Sequence, residues 1–451
     1  MKAYTLALML ALAVSAMAQP QPTDADRAKC FIDNDGDKSV TFIFDNNLWK
    51  VSGLKSVEVR GSFTSWGASD DFVMTYDADG DFWHVTAPYS AVKIPGNSGQ
   101  PEFKFVTNGS SWQSGSSKSF IPEGYVFRNS DKNNIVVFNS DDFETIKANS
   151  ASANVVKTLD DFDLTTTEGQ EEISNFRRVP GTTMLYRCYH PFKYSRDTYA
   201  TEPVRIQYVD ELSVQHGVQS DICLSGDDTG SLTSYTIGGV KYTESVPDYY
   251  QAALDNGHVL YVGTVNGTTP SYNAVYYRTN NDTFCQWIRE VTDFIIDDST
   301  PMPVTIHCRL GTDRTGVFCA VLAALCGAGW TDIAADYQKS NRMGILEFRD
   351  YHLLQYAMQL MLGVDDINTV DNLGAAISAY FMGNGTLTQD DINAIRAKLC
   401  AEPSGVSNIV ATPASEATPA YYDLQGIRVS APQAGSIYIR RQGDNAAKIR
   451  Y

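Results

Sequence analysis

Residues 304 to 325, VTIHCRLGTDRTGVFCAVLAAL, set the tightest limit on the fold. An apolar strand runs into His307-Cys308, a polar turn containing Gly311 follows, and an apolar helix resumes at Thr315-Gly316. A strand delivered straight into a helix is the repeating unit of an α/β sheet. The alternation continues from about 150 to 401. VQSDICLSG and HVLYVGTV read as buried strands, and TFCQWIREVTDFIID carries apolar residues at helical spacing. TGVFCAVLAALCGAG, WTDIAADYQKSN, DYHLLQYAMQLMLG and DNLGAAISAYFM follow as helices. LTQDDINAIRAKLC closes the series, with Thr388 as N-cap and acids in the first turn. The expectation is a central α/β domain over 150–401 with a mostly parallel sheet.

The turn has the parts of a phosphate cradle. A tight loop before a helix N-terminus presents backbone N–H groups, and the helix dipole adds positive potential. Gly311 lets the loop curl, and Arg314 offers a planar fork for two phosphate oxygens. The same donors favour a thiolate, so Cys308 is expected to be nucleophilic at neutral pH. Thr315 is placed to hydrogen-bond the sulfur or to help a phosphocysteine break down.

HCRLGTDRTG resembles the HC-x5-R[ST] signature of the cysteine-dependent protein tyrosine phosphatase superfamily, in the required strand–loop–helix setting. NFRRVPGTTMLYRCYHPF is similar to the NFR…lyRs segment of bacterial tyrosine/serine phosphatases whose loops read HCxxGKDRTG. DYQKSN resembles their DYxLSN helix end, and LTQDDINAIRAKL resembles their closing helix. The likeness spans about 175 to 400. It implies a phosphomonoesterase of the protein tyrosine or dual-specificity type, working through a cysteinyl phosphate without cofactor or metal. Phosphorylated proteins or small phosphate esters are the implied substrates. Cys308 would be the nucleophile, Arg314 the phosphate ligand, and Arg309, Leu310, Gly311 and Thr312 the rest of the loop. Thr312 departs from the branch, which has Lys there, and this counts against an inositol phosphate or phosphoinositide substrate.

The resemblance leaves the general acid open. Common tyrosine phosphatases carry it on a WPD loop; no WPD occurs here, and YYRTNNDTF offers only Asp282. In the branch with Asp before Arg the loop aspartate takes the role, which points to Asp313. Its other reading is a structural carboxylate bonding loop N–H groups or Arg314. Asp227 and Asp228 are further candidates. His307 orients the loop or is a satisfied core histidine, and Arg309 lines the mouth or is a solvated surface residue.

Upstream, SVTFIFD, SVEVRGSF, DFWHVTAP, EFKFVTNG and NIVVF alternate apolar and polar residues between turns. They predict an all-β, immunoglobulin-like sandwich over 19–145. VEVRGSFTSWGAS and EFKFVTNGSSWQ resemble the early-set sandwiches of glycogen-binding and isoamylase N-terminal domains, which implies glucan contacts by Trp66, Lys104 and Trp112. The plainer reading is that these tryptophans only pack. A sandwich of this type beside a cysteine phosphatase is similar to glucan phosphatases, although domain order and secretion differ. A non-catalytic phosphate- or sugar-binding surface protein is the alternative of another class.

A linker is expected over 402–420, followed by a short β tail over 421–451. Its YYDLQGIRVSAPQAGSIYI resembles type IX secretion sorting tails. At the other end, Lys2, an apolar run to Val14 and Ala16-Met17-Ala18 have the layout of a secretory signal over 1–18. Export to the periplasm, cell surface or medium is therefore expected, with no integral membrane segment. The formal charge of -18 repels nucleic acid and anionic membranes, so any phosphate site must be locally positive. Eight cysteines are too sparse for a disulfide scaffold and none has zinc spacing; Cys319 or Cys326 suits a buried, inert thiol.

Overall fold

The computed structural model describes residues 20–226, 229–264, 267–401, 420–422, 428–429, 432–434, 437–442 and 445–450. The expected signal segment 1–18, Asp227, Asp228 and nearly all of the linker 402–420 lie outside them. The chain forms two contact units, Met1–Ala401 and Glu402–Tyr451. No helix among the described residues is long and apolar enough to cross a membrane.

The first unit opens with short antiparallel strands: β1 (Phe31–Asn34), β2 (Ser39–Phe44), β3 (Val57–Gly61), β4 (Thr75–Asp77), β5 (Phe82–Pro88), β6 (Glu102–Thr107), β7 (Ser111–Gln113) and β8 (Asn134–Ile135). They make one sheet in the order β1-β2-β5-β4 and another in the order β3-β6-β7, with β8 on β6. Strand alternation decides the faces: Val57 and Val59 of β3 are buried, while Glu58 and Arg60, which alternate with them, are not. The two sheets meet through aromatic pairs, Phe42 on Phe103 and Phe44 on Phe105, each with ring centroids 5.0 Å apart and edge to face.

A second sheet system follows: β9 (Arg177–Arg178), β10 (Leu185–Cys188), β11 (Ser220–Cys223), β12 (Ser234–Ile237), β13 (Val240–Thr243), β14 (Val259–Tyr261) and β15 (Val304–His307). Its main sheet runs β14-β11-β15-β10-β9. The first four are mutually parallel and β9 is an antiparallel edge. The register sets Cys188 of β10 and Cys223 of β11 level with His307 of β15, so three strands end together beneath the loop. That is where open α/β sheets place their ligands. Sequence reading missed β12 and β13, a hairpin turned by Gly238 and Gly239 at φ 59° and 83°.

Every residue of the helix Asp313–Leu325 is buried; from Val317 onward it is apolar on all sides, the pattern of a helix that neighbours cover all round. The helix Asp282–Ile296 buries Phe284, Ile288, Val291 and Ile295 at helical spacing. Cys319 on the central helix is buried, and burial pushes its thiol up to about 12, which suits an inert role.

The segment Gly344–Asp350 joins the two sheet systems. Phe348 is buried in the core of the N-terminal strands, 5.7 Å from the Phe127 ring. The Asp350 amide donates to Asn97 O at 2.9 Å, and Asn149 Nδ2 donates to Asp350 Oδ2 at 3.0 Å. Tyr277 on the other side donates its hydroxyl to Pro95 O at 2.9 Å.

The second unit, considered alone, holds strands Ala420–Tyr422, Arg428–Val429, Ile437–Gln442 and Asn445–Arg450 in one antiparallel sheet.

Candidate active site

The loop between β15 and the helix Asp313–Leu325 is held open from outside by its carbonyls. The backbone amide of His190 donates to Arg309 O at 3.2 Å. Asn175 Nδ2 donates to Leu310 O at 2.9 Å, and Arg187 Nη2 donates to Gly311 O at 2.7 Å. With three successive carbonyls turned outward, the loop amides are free to face inward, as an anion cradle needs. Gly311 sits at φ 69°, and a Cβ there would overlap Cys188 O. Only glycine fits that position. No side chain caps the first turn of the following helix, so its N–H groups remain available.

The outer ring is a buried charge network. Arg177 Nε donates to Asp336 Oδ1 at 2.6 Å, and Arg187 Nη1 donates to Asp336 Oδ2 at 2.8 Å. Arg177 also reaches Ser340 Oγ at 3.0 Å. Burial pushes the Asp336 carboxyl up, but the two guanidiniums outweigh it and hold it below the usual carboxylate range. Asn175, Arg177 and Arg187 come from NFRRVPGTTMLYRC, and Asp336 and Ser340 from DYQKSN. The sequence patterns thus marked residues whose work, bracing the loop, only the fold reveals.

Cys308 is 2% exposed and lines a cavity of about 400 Å³ together with Arg309, Leu310, Asp313 and Arg314. Burial alone would raise its thiol; the charge of Arg314 and the hydroxyl and amide of Thr315 overcome this and lower it below the ordinary 9.0. Thr315 Oγ1 is buried with no partner of bonding length, yet it lies near enough to favour the thiolate. Arg314 Nη1 donates to Leu224 O at 3.1 Å and to Pro270 O at 3.3 Å, which fixes the fork, while its Nε is buried without a partner. Arg309 is half-buried and on the cavity wall; Thr312 is buried and lines neither of the cavities around the site.

His307 lies wholly behind the loop. Its Nδ1 is 3.0 Å from Cys308 O, a carbonyl that can only accept, so Nδ1 carries a proton. Its Nε2 stands 3.0 Å from Asp221 Oδ1, without the alignment of a hydrogen bond. Burial disfavours the imidazolium, but Asp221 outweighs it and raises the histidine well above its usual value. His190, Cys223 and His307, all buried, bring ligand-type atoms within 4.8 Å of one another, a meeting of distant positions that spacing could not signal.

Asp313 bonds neither loop amides nor Arg314. Its Oδ1 accepts from Arg349 Nε at 2.6 Å and from Tyr276 Oη at 2.9 Å. Asp313 and Glu347 outweigh burial and hold the Arg349 guanidinium well above its usual value, firmly charged. Sequence reading missed both partners of Asp313. Asp282 is exposed at the start of its helix and lines neither of these cavities.

Trp66, Lys104 and Trp112 come together on the N-terminal strands. The two indoles lie 6.3 Å apart, tilted by 46°. All three line a second cavity, of about 620 Å³, whose far wall is Tyr276, Asp313 and Arg349.

No curated protein matches the chain. Residues 263–401 match the model of the tyrosine phosphatase family. The match begins after β14, although the sheet that carries the loop starts at Arg177. A tyrosine phosphatase family domain around the Cys308–Arg314 loop supports a phosphatase, a hydrolase of phosphoric monoesters.

Proposed function

We propose that the protein is an exported phosphomonoesterase of the tyrosine phosphatase type that works through a cysteinyl phosphate. The observation that carries this reading is the thiol of Cys308, lowered by Arg314 and Thr315 inside a loop whose carbonyls point away from it. The Cys308 thiolate attacks phosphorus; the S–P bond forms as the bond to the leaving oxygen breaks. Arg314 and the loop amides hold the three equatorial oxygens, where negative charge is spread in the transition state. Asp313 gives a proton to the leaving oxygen. Arg349 and Tyr276 both occupy its Oδ1, which leaves Oδ2 as the oxygen open to the leaving group. Water then attacks phosphorus, Asp313 takes its proton, and inorganic phosphate leaves as the thiolate is restored. Thr315 and His307 position the sulfur and the loop, and no metal is needed for this charge balance.

Turnover of para-nitrophenyl phosphate by the purified protein, with Cys308→Ser beside it, tests the reading. Equal rates for the two would establish a binding protein instead of an enzyme. Asp313→Asn is expected to cut turnover by about 10²–10⁴-fold, the usual contribution of a positioned acid; unchanged turnover would move the acid elsewhere. The leader over 1–18 and the sorting-like tail over 421–451 support export. Fractionation that leaves the protein in the cytoplasm would overturn that part.

A further inference from the structure

The central helix Asp313–Leu325 and the closing helix Gln389–Leu399 meet at their C-terminal ends, and each is capped by a cysteine. Cys326 is the C-cap of the first and Cys400 the C-cap of the second. The last helical turns fix both backbones: the Cys326 amide donates to Leu322 O at 3.0 Å, and the Cys400 amide to Arg396 O at 2.9 Å. Arg396 Nε donates to Leu325 O at 2.6 Å, so the closing helix satisfies a carbonyl that the central one leaves open.

A turn of the chain pins the same corner. Gly181 sits at φ 74°, and a Cβ there would lie 3.2 Å from Cys326 O. Its carbonyl accepts from Cys400 Sγ at 3.4 Å. The amides of Thr183 and Met184 donate to Leu399 O at 2.8 and 3.1 Å. Between these anchors the two thiols are hydrogen-bonding neighbours, and the Cys400 sulfur adds to burial in raising the Cys326 thiol. Sulfurs that already meet across a fixed backbone are what a disulfide needs.

The other cysteines differ. Cys30, Cys188, Cys223 and Cys319 are buried, and Cys308 faces the phosphate cavity. Cys285 is half-buried like Cys326 and Cys400, but its sulfur meets Asn384 Nδ2 at 3.3 Å and Tyr380 Oη at 3.8 Å instead of a thiol. Cys326 and Cys400 combine a sulfur partner with access from solvent. Cys319 thus keeps the inert role, and Cys326 does not share it.

We propose that Cys326 and Cys400 are joined by a disulfide once the chain enters an oxidising compartment, stapling the last helix of the phosphatase domain to its central helix. This goes beyond the phosphatase reading and draws on the export reading only for the oxidant, a glutathione-type or protein disulfide. Cys400 begins, because burial keeps Cys326 protonated. Its thiolate attacks the oxidant, whose S–S bond breaks and releases one thiolate. The Cys326 sulfur gives its proton to that thiolate and attacks Cys400 Sγ; the second half of the oxidant leaves and takes up the proton that Cys400 shed. Two electrons and two protons have then passed to the oxidant, which ends as two thiols. The phosphate loop lies at the other end of the central helix, so the staple secures the fold and leaves Cys308 unpaired.

The test incubates the full chain in buffer with oxidised glutathione in excess, traps free thiols with N-ethylmaleimide in denaturant, and maps peptides by mass spectrometry without reduction. The expected result is a pair of peptides linked through Cys326 and Cys400, absent from Cys326→Ser and from Cys400→Ser. Oxidation should raise the melting midpoint of the parent by about 5–10 °C, the scale of a link that closes a long loop, and leave both variants unmoved. No linked peptide, a link from Cys308 to Cys188 or Cys319 in its place, or a midpoint that oxidation does not move would overturn the staple. None of these readouts needs turnover, so a protein inactive on para-nitrophenyl phosphate would sink the phosphatase reading alone. A link that forms in glutathione but is missing from protein isolated from its host would overturn export alone.

Discussion

The phosphate loop His307–Thr315 and the strap Gly344–Asp350 both wall the same cavity, but they are held in opposite ways. The loop is braced from within its own sheet: Asn175, Arg187 and the His190 amide take its carbonyls, and Asp336 fixes the arginines. The strap is held by the N-terminal region, whose core receives Phe348 and whose loop residue Asn97 and helical Asn149 bond Asp350. From that footing Arg349 reaches Asp313, and Glu347 Oε2 accepts from Arg349 Nη1 at 2.8 Å. The setting of Cys308 is thus local, whereas that of Asp313 depends on contacts the strap makes far back in the chain, such as Asn149, 201 residues before Asp350.

The contrast is open to attack by substitution. The largest effect is expected from Asp336→Asn, which leaves two buried arginines without their carboxylate and should cost about 3–5 kcal/mol in urea unfolding. Because the folded Asp336 carboxyl is depressed, its contribution is complete above the unfolded carboxyl range near pH 4 and fades as pH falls through the lower folded value. The stability gap between parent and variant should therefore narrow in acid. A gap that stayed constant would remove Asp336 as the brace.

Next is Arg314→Lys, which keeps the charge but loses the fork; kcat/KM on para-nitrophenyl phosphate should fall about 10²–10³-fold with the circular dichroism spectrum retained. Phe348→Ala should destabilise by about 3 kcal/mol and also reduce turnover of the folded fraction, since Arg349 is its neighbour. Phe44→Ala, also in the buried core but remote from the strap, should cost at least comparable stability without that catalytic loss. If both behave alike, the strap does not transmit position.

Arg349→Lys is a milder change, expected to lower kcat about tenfold through loss of the planar fork; an unchanged kcat would separate Arg349 from Asp313. The smallest effect is a titration. Carboxymethylation of Cys308 by iodoacetate should follow a midpoint below 9.0, and Arg314→Gln should move that midpoint upward, because Arg314 favours the thiolate. A midpoint that stayed in place would assign the lowering to Thr315 and the loop amides.

Legibility in the sequence followed the same division. HCRLGTDRTG contains the candidate nucleophile, fork, glycine and helix start within one short stretch, so its strand–loop–helix setting was legible locally. NFRRVPGTTMLYRC and DYQKSN were visible as patterns, but not as one network, because Arg187 and Asp336 are 149 residues apart. Asp313 was singled out, while its partners were not: Tyr276 and Arg349 lie 37 and 36 residues away and carry no motif. Trp66, Lys104 and Trp112 were readable as a group, yet their opening onto Asp313 depends on how two sheet systems meet. Nothing in either segment alone encodes that.

One consequence of the strap concerns modularity. Ile345, Glu347 and Arg349 serve the catalytic side, while Phe348 and Asp350 serve the N-terminal strands. Gain of a single residue ahead of Glu347 would exchange these roles, handing Phe348's place to the glutamate and Arg349's to the phenylalanine. The two halves of the first unit therefore share a parity as well as a border, and neither can be inherited, transplanted or trimmed away without rewriting the other.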